Sequence, residues 1–547
     1  MNAWRALGIF AVSLAAFGAE ERPPLELPPL LAAESASPWR YAATADFEVI
    51  SRCTDDLTLR FLQREQRLEE LVRLIVPEEF KSRRSLPRMF VLTGEAAATA
   101  RAGDRAVRPL TELQLDDWDV QVTFAVVNEV RFAGDSLAFN RHEVRTALQR
   151  HTPPLPEWLV EGMSVLLGDM NFQSGGIALA PLIWISEPVT QRLSTEPDFP
   201  RTLLALGELF APRTPGVKPD SEFNSLWRSE AALLCRWALD SEDVSSRAVL
   251  WKFAARAGTE PPTEALIQEC FGMSSSDLRD RLSDYLPVAV KRGMRLPLVA
   301  PAAAPSPTLR DPTAVEVARI KGDWERLGAA YVRARHAELA PQYLAHARDT
   351  LLRGAEASAR PERGASDPTG DTPVPLKPPD ARVSAVLGLL ELEAGRSAEA
   401  RPHLEAAMRG SAVGPRIYAE VARLRFLEAR AKPEGASGLL SAAQANAILA
   451  PLATAGMQSP PLPLTYLLAA QTWLYSGLPL EPANLGLLDD GLRFFPREQS
   501  LLFQVALLRA SRGAKPEAAA LVQRGLALEL TPANRTAFER LRASLAK

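Results

Sequence analysis

Alternation of apolar and polar residues, the mark of a half-buried strand, is confined to the first 134 positions; beyond them the apolar residues recur at helical spacing through most of the 547-residue chain. Phe47 and Val49 alternate with Asp46 and Glu48. Arg88 to Thr93 reads as a second strand, and Val120, Val122, Phe124 and Val126 form a third, with a fourth at 129–134. Between the first two, Thr54 or Asp55 caps a helix bearing Leu57, Phe61, Leu68, Leu71, Leu74 and Ile75. From Ser136 to about residue 290 the pattern is helical. A small sheet followed by helices defines an α+β N-terminal domain.

Proline divides the chain. Residues 20–38 are Pro-rich without periodicity and read as a tether, 293–312 as a Pro/Ala linker, and 354–380 as a low-complexity insert. These breaks frame a folded domain over 39–292 and an all-α region over 313–547, which the linker isolates from the domain before it. In the all-α region Trp324, Leu327, Gly328, Tyr331 and Ala340 stand at the spacing W-x2-L-G-x2-Y with a later small residue. That pattern resembles the tetratricopeptide repeat. A second unit contains Leu387, Gly388, Gly395, Ala400, Leu404 and Ala407, a third and weaker one Gly477 and Pro496, and a fourth Ala506, Gly513, Ala518 and Pro532. The resemblance implies stacked helix pairs, with Trp324 and Tyr331 as structural signature residues and a concave surface that binds protein or peptide. An irregular helical domain with chance matches is the alternative.

At the N-terminus, Arg5 precedes an apolar run from Ala6 to Ala19 that ends at Glu20, Glu21, Arg22 and Pro23. This reads as a secretory signal peptide over 1–19 and places the product in the periplasm or outside the cell; an uncleaved anchor is the competing reading. No later segment approaches 18 uninterrupted apolar residues, so no integral membrane segment is expected. Cys53, Cys235 and Cys270 form either one disulfide and a free thiol or three buried thiols. With 63 Lys and Arg against 66 Asp and Glu, the chain has no electrostatic footprint for nucleic acid.

Only five histidines occur, so a multi-histidine metal site has few makers. Two of them, His142 and His151, fall in the segment that runs from Arg141 to Met163 and contains His142-Glu143 and then Pro-Glu-Trp-Leu-Val-Glu-Gly-Met. This segment resembles the peptidase MA-like gluzincins, whose pattern is HExxH followed by a spacer and a W-L-x-E-G segment. The resemblance implies a zincin-like domain in which His142 is the first zinc ligand, Glu143 the general base and Glu161 the third ligand. Thr146 stands where the second histidine belongs, and a neutral hydroxyl is a poor zinc ligand. His151 lies about 2.5 turns from His142 and cannot replace it. A segment that in relatives helps stabilise the oxyanion is best matched by Leu226-Trp227-Arg228-Ser229, which lacks its tyrosine. Asn140 and Glu143 also spell a helix capping box, which gives Glu143 a structural role.

The site is therefore expected to be vestigial, with no cofactor, and the protein to be an exported pseudopeptidase whose repeat array binds protein or peptide. Two alternatives stand beside it: an active metallopeptidase that binds zinc through a non-standard ligand set, and a structural spacer of the cell envelope.

Overall fold

The computed structural model describes the chain apart from residues 1–24, 32–37, 81–87, 95–100, 103–104, 109, 130–138, 169, 174–175, 185–202, 212–221, 241–243, 298–306, 360–379, 412, 436–437, 529 and 547. The signal segment 1–19, nearly all of the strand expected at 129–134 and most of the insert at 354–380 lie outside the described residues. The strands are β1 (Leu25–Glu26), β2 (Arg40–Ala43), β3 (Phe47–Ser51), β4 (Arg88–Thr93), β5 (Arg101–Ala102), β6 (Arg105–Arg108), β7 (Glu112–Asp117), β8 (Val120–Val126), β9 (Asn171–Gln173), β10 (Gly176–Leu179) and β11 (Met294–Pro297).

The central sheet has the order β2-β3-β4-β8-β7, antiparallel at both edges and parallel in the middle. Parallel pairing of β3 with β4 demands a crossover, supplied by helix α1 (Asp55–Ile75), whose first turn is capped by the Thr54 hydroxyl. Leu57, Phe61 and Leu62 of α1 cover one face of the sheet through Phe47, Val49, Phe90 and Leu92. The sequence reads β3 as a strand with one polar face, yet all five of its residues are buried. The second face, formed by Ile50, Met89, Val91, Val122 and Phe124, is covered by Ile320, Trp324 and Leu327 from the C-terminal half.

Helices α2 (Arg141–Gln149), α3 (Glu157–Leu167), α4 (Leu206–Phe210), α5 (Glu222–Asp240), α6 (Val244–Ala257), α7 (Glu264–Phe271) and α8 (Ser275–Lys291) form a second core with the C-terminal end of α1. The helical reading of 136–290 is interrupted, because β9 and β10 form a hairpin that β11 extends. Residues 294–297 of the expected linker are thus a sheet strand, and Arg310 pairs with Tyr41 through two backbone hydrogen bonds. The expected tether is likewise corrected. Leu25, Leu27 and Leu31 are buried, Trp324 donates its indole N–H to the Pro29 carbonyl at 2.8 Å, and the Tyr343 hydroxyl donates to the Pro28 carbonyl at 2.6 Å.

An α+β part is followed by a helical array: α9 (Ala314–Arg333), α10 (Ala340–Ala359), α11 (Ala381–Glu393), α12 (Ser397–Arg409), α13 (Pro415–Ala431), α14 (Ala442–Gly456), α15 (Pro463–Leu474), α16 (Pro482–Phe494), α17 (Gln499–Ser511), α18 (Lys515–Leu526) and α19 (Pro532–Leu545). The opening residues of the expected insert, 354–359, continue α10, and Asp380 at its end caps α11. Close packing inside a pair requires small residues: a Cβ on Gly388 of α11 would stand 2.5 Å from a methyl of Leu404 on α12. Gly395 and Gly513 close their helices with φ of 77° and 83°, a backbone that favours glycine.

Polar contacts fasten the array to the α+β part at two places. At one, Glu48 of β3 accepts from Arg319 of α9 and from Arg382 of α11 at 2.9 Å, and Asp117 of β7 receives Arg326 at 3.1 Å and Arg416. At the other, Arg497, between α16 and α17, donates to the Ala257 carbonyl at the end of α6 at 3.0 Å. At the first place carboxylates of the α+β part meet guanidiniums of the array.

Candidate functional site

The segment singled out by sequence folds as the helix pair α2 and α3. Asn140 caps α2 by accepting from the Glu143 N–H at 2.9 Å, while the Glu143 carboxylate accepts from the Asn140 N–H at 2.8 Å. This is the reciprocal capping box. The same carboxylate is paired with the buried guanidinium of Arg64 from α1. Glu143 is therefore engaged by the helix start and by α1.

Glu161 lies in the middle of α3 and is 2% exposed. Three guanidiniums converge on it: Arg145 at 2.7 Å on one carboxylate oxygen, with Arg141 at 3.1 Å and Arg228 at 3.2 Å sharing the other. Arg141 and Arg145 are four residues apart on α2 and so share one helix face. Arg228 arrives from α5, which can lie against α3 because of Gly162: a Cβ there would stand 2.5 Å from the Ala231 carbonyl oxygen. Burial and the neighbouring Arg228 hold the Arg141 guanidinium below its usual pKa.

The expected ligands are not brought together. His142 is exposed, and Thr146 is buried with Ala147 and Leu148 on α2. His151 follows α2, its Nδ1 2.9 Å from the Leu148 carbonyl. Trp158 belongs to the core, against Phe210 and Phe253. In the segment Leu226 to Ser229, Trp227 donates to the Leu209 carbonyl at 2.9 Å and Arg228 reaches Glu161. Tyr331 is half-buried under the Arg335 guanidinium, and Trp324 is fully buried against the sheet.

These donors do not fit a zinc centre. The only carboxylate at the expected ligand position is surrounded by fixed cations, and among the described residues no group of three His, Cys, Asp or Glu is placed to hold a metal ion. The residues that sequence reasoning missed are Arg141, Arg145 and Arg228. The first two carry a signal, since they have the same i, i+4 spacing as a ligand pair. The three cysteines are buried free thiols.

Two spaces flank α2. A cleft of about 220 Å³ at its start is lined by Arg141, Arg228, Ser229 and apolar residues that include Val165 and Ile183. At its end, a cavity of about 1160 Å³ separates the α+β part from the array, with Glu69, Val72, Arg150 and His151 on one wall and Leu389, Ile417 and Met457 on the other. Burial pushes Asp119, which also lines the cavity, up to about 6, although it accepts from the Arg416 N–H. No described helix is long and apolar enough to cross a membrane. No protein-family model matches the chain, and the search of curated proteins found no match.

Proposed function

We propose that this is an exported, non-catalytic binding protein, in which a degenerate peptidase MA-like domain of zincin type and a tetratricopeptide-like array together hold a polypeptide segment. The observation that carries the reading is the closure of Arg141, Arg145 and Arg228 on Glu161. A zinc peptidase of the resembled kind needs that carboxylate for the metal, and a cation would have to displace three guanidiniums to reach it. The partner side of the proposal is supported by the cavity of about 1160 Å³, whose walls mix apolar side chains with both signs of charge and come from both parts of the chain. Such walls suit a segment bearing apolar and charged side chains.

Metal analysis of the purified protein after incubation with zinc tests the first half. The expected result is well under one zinc per chain and no cleavage of casein. Stoichiometric zinc that disappears in a variant carrying both His142→Ala and Glu161→Ala would overturn it in favour of a peptidase with an unusual ligand set. For the second half, peptides selected from a random library should bind at least tenfold more weakly to Met457→Arg, which adds charge at the exposed rim of the cavity. Undiminished binding would place the peptide elsewhere.

A further inference from the structure

The three arginines around Glu161 leave two positive charges unbalanced, since no other carboxylate pairs with them among the described residues. Arg145 sits alone on one Glu161 oxygen, whereas Arg141 and Arg228 divide the other. Those same two line the cleft of about 220 Å³. Each guanidinium offers five N–H donors in a planar fork, so sharing a single oxygen leaves most of the donors of both without a carboxylate partner. Their side chains are 41% and 19% exposed, so an anion in the cleft would meet Arg228 largely screened from bulk water and Arg141 in contact with it.

The rest of the cleft selects what carries the charge. Val165, Leu166, Leu182 and Ile183 add apolar lining to the same cleft as the arginines, and Ile183 is 52% exposed. We infer that this cleft binds a carboxylate borne on a small apolar group, with Arg141 and Arg228 forking the carboxylate and the Val165–Ile183 wall covering the apolar part. Guanidinium forks match the planar carboxylate bidentately, and the volume is too small for more than a terminal residue or a small acid. Gly168 belongs to the same design. A Cβ there would stand 3.1 Å from the Cα of Arg141, so the start of α2 could not lie as close to the end of α3. The chemistry is shared by two sources, the C-terminal carboxylate of a peptide and a free branched-chain acid. The inference rests on the arginines having taken the place of a metal, not on what fills the large cavity.

Calorimetric titration of the full chain distinguishes the cases. N-acetyl-Leu-Leu as the free acid is expected to bind at least tenfold more tightly than its C-terminal amide, and to weaken as salt is raised. Arg141→Lys and Arg228→Lys keep the charge and the pairing with Glu161 but lose the fork, so each should weaken the acid about tenfold with unchanged thermal unfolding. A tighter dipeptide acid than isovalerate identifies a chain terminus, and equal affinities identify a free acid. Equal binding of acid and amide, no binding of either at millimolar concentration, tighter binding of inorganic phosphate, or undiminished binding by both lysine variants would overturn the inference. Zinc content measured on the same preparation separates this failure from failure of the non-catalytic reading.

Discussion

The indole of Trp324 packs on the ring of Phe124 with 5.7 Å between centroids, joining the first array helix to the middle of the N-terminal sheet. Trp324 is fully buried there with Ile320 and Leu327, so this face of α9 is also part of the sheet's core. Trp324→Ala should cost about 3–5 kcal/mol, the range for removing a buried large aromatic. Calorimetry of the full chain should show one cooperative transition that moves as a whole in this variant. A fragment beginning at residue 313 exposes this surface and is expected to associate or melt far below the full chain. Two independent transitions, with only one shifted by the substitution, would show the parts to be separable.

Much of the local structure is legible in sequence. The strand at 88–93 matches β4 residue for residue, and Thr54 is the cap of α1. The helix pair and the capping box at Asn140 are legible for the same reason: their signals lie within a few residues of each other. What is not legible depends on partners hundreds of residues away. Leu25, Leu27 and Leu31 sit among prolines without periodicity, and their burial comes from packing against α9, α10 and the sheet. Glu48 alternates as a solvent-facing residue should, but Arg319 and Arg382 meet it from the array. At the site, the difficulty was phase. Shifting an i, i+4 pair by one residue rotates it about 100° around the helix, which turns His142 outward and Arg141 and Arg145 onto Glu161.

Glu230 is fully buried, and burial pushes its carboxyl up to about 7 although the Leu204 N–H donates to it at 2.7 Å. The folded state therefore holds this proton more tightly than the unfolded chain, and stability falls as pH rises from about 4.5 through 7. Glu230→Gln retains an acceptor for Leu204 and removes the charge. Denaturant unfolding should show it about 2–3 kcal/mol more stable than the parent at pH 8, with the difference shrinking toward pH 5. A constant difference across that range would show that Glu230 does not titrate in it.

In the array, His346 of α10 places Nδ1 3.0 Å from a carboxylate oxygen of the fully buried Glu325 on α9, which also accepts from Thr350. Pairing with Glu325 raises the His346 pKa, while partial burial and the nearby Lys321 and Arg353 oppose it. A raised histidine contributes stability that is complete below its unfolded value of 6.5 and is lost as pH climbs through the folded value. NMR titration should give a midpoint above 6.5, and Glu325→Gln should bring it down. If the midpoint stays put in Glu325→Gln, the pair is not what holds the proton.

The geometry around Glu161 also says how a metal site could be installed. Thr146→His, the substitution that sequence spacing recommends, puts an imidazole at a buried position about 100° around α2 from Arg145, and is expected to lower stability without raising zinc affinity. Arg141→His together with Arg145→His puts two imidazoles on the helix face that already meets Glu161, about one turn apart. Adding Arg228→Gln removes the last guanidinium competing for the carboxylate. Two imidazoles and a carboxylate form a sufficient donor set for zinc, so the triple variant should bind one zinc per chain and gain thermal stability when zinc is added. Competition with a chromophoric chelator measures the affinity. Equal zinc affinity in the triple variant and Thr146→His would mean that the face of α2 opposite Glu161 is not the one the arginines define.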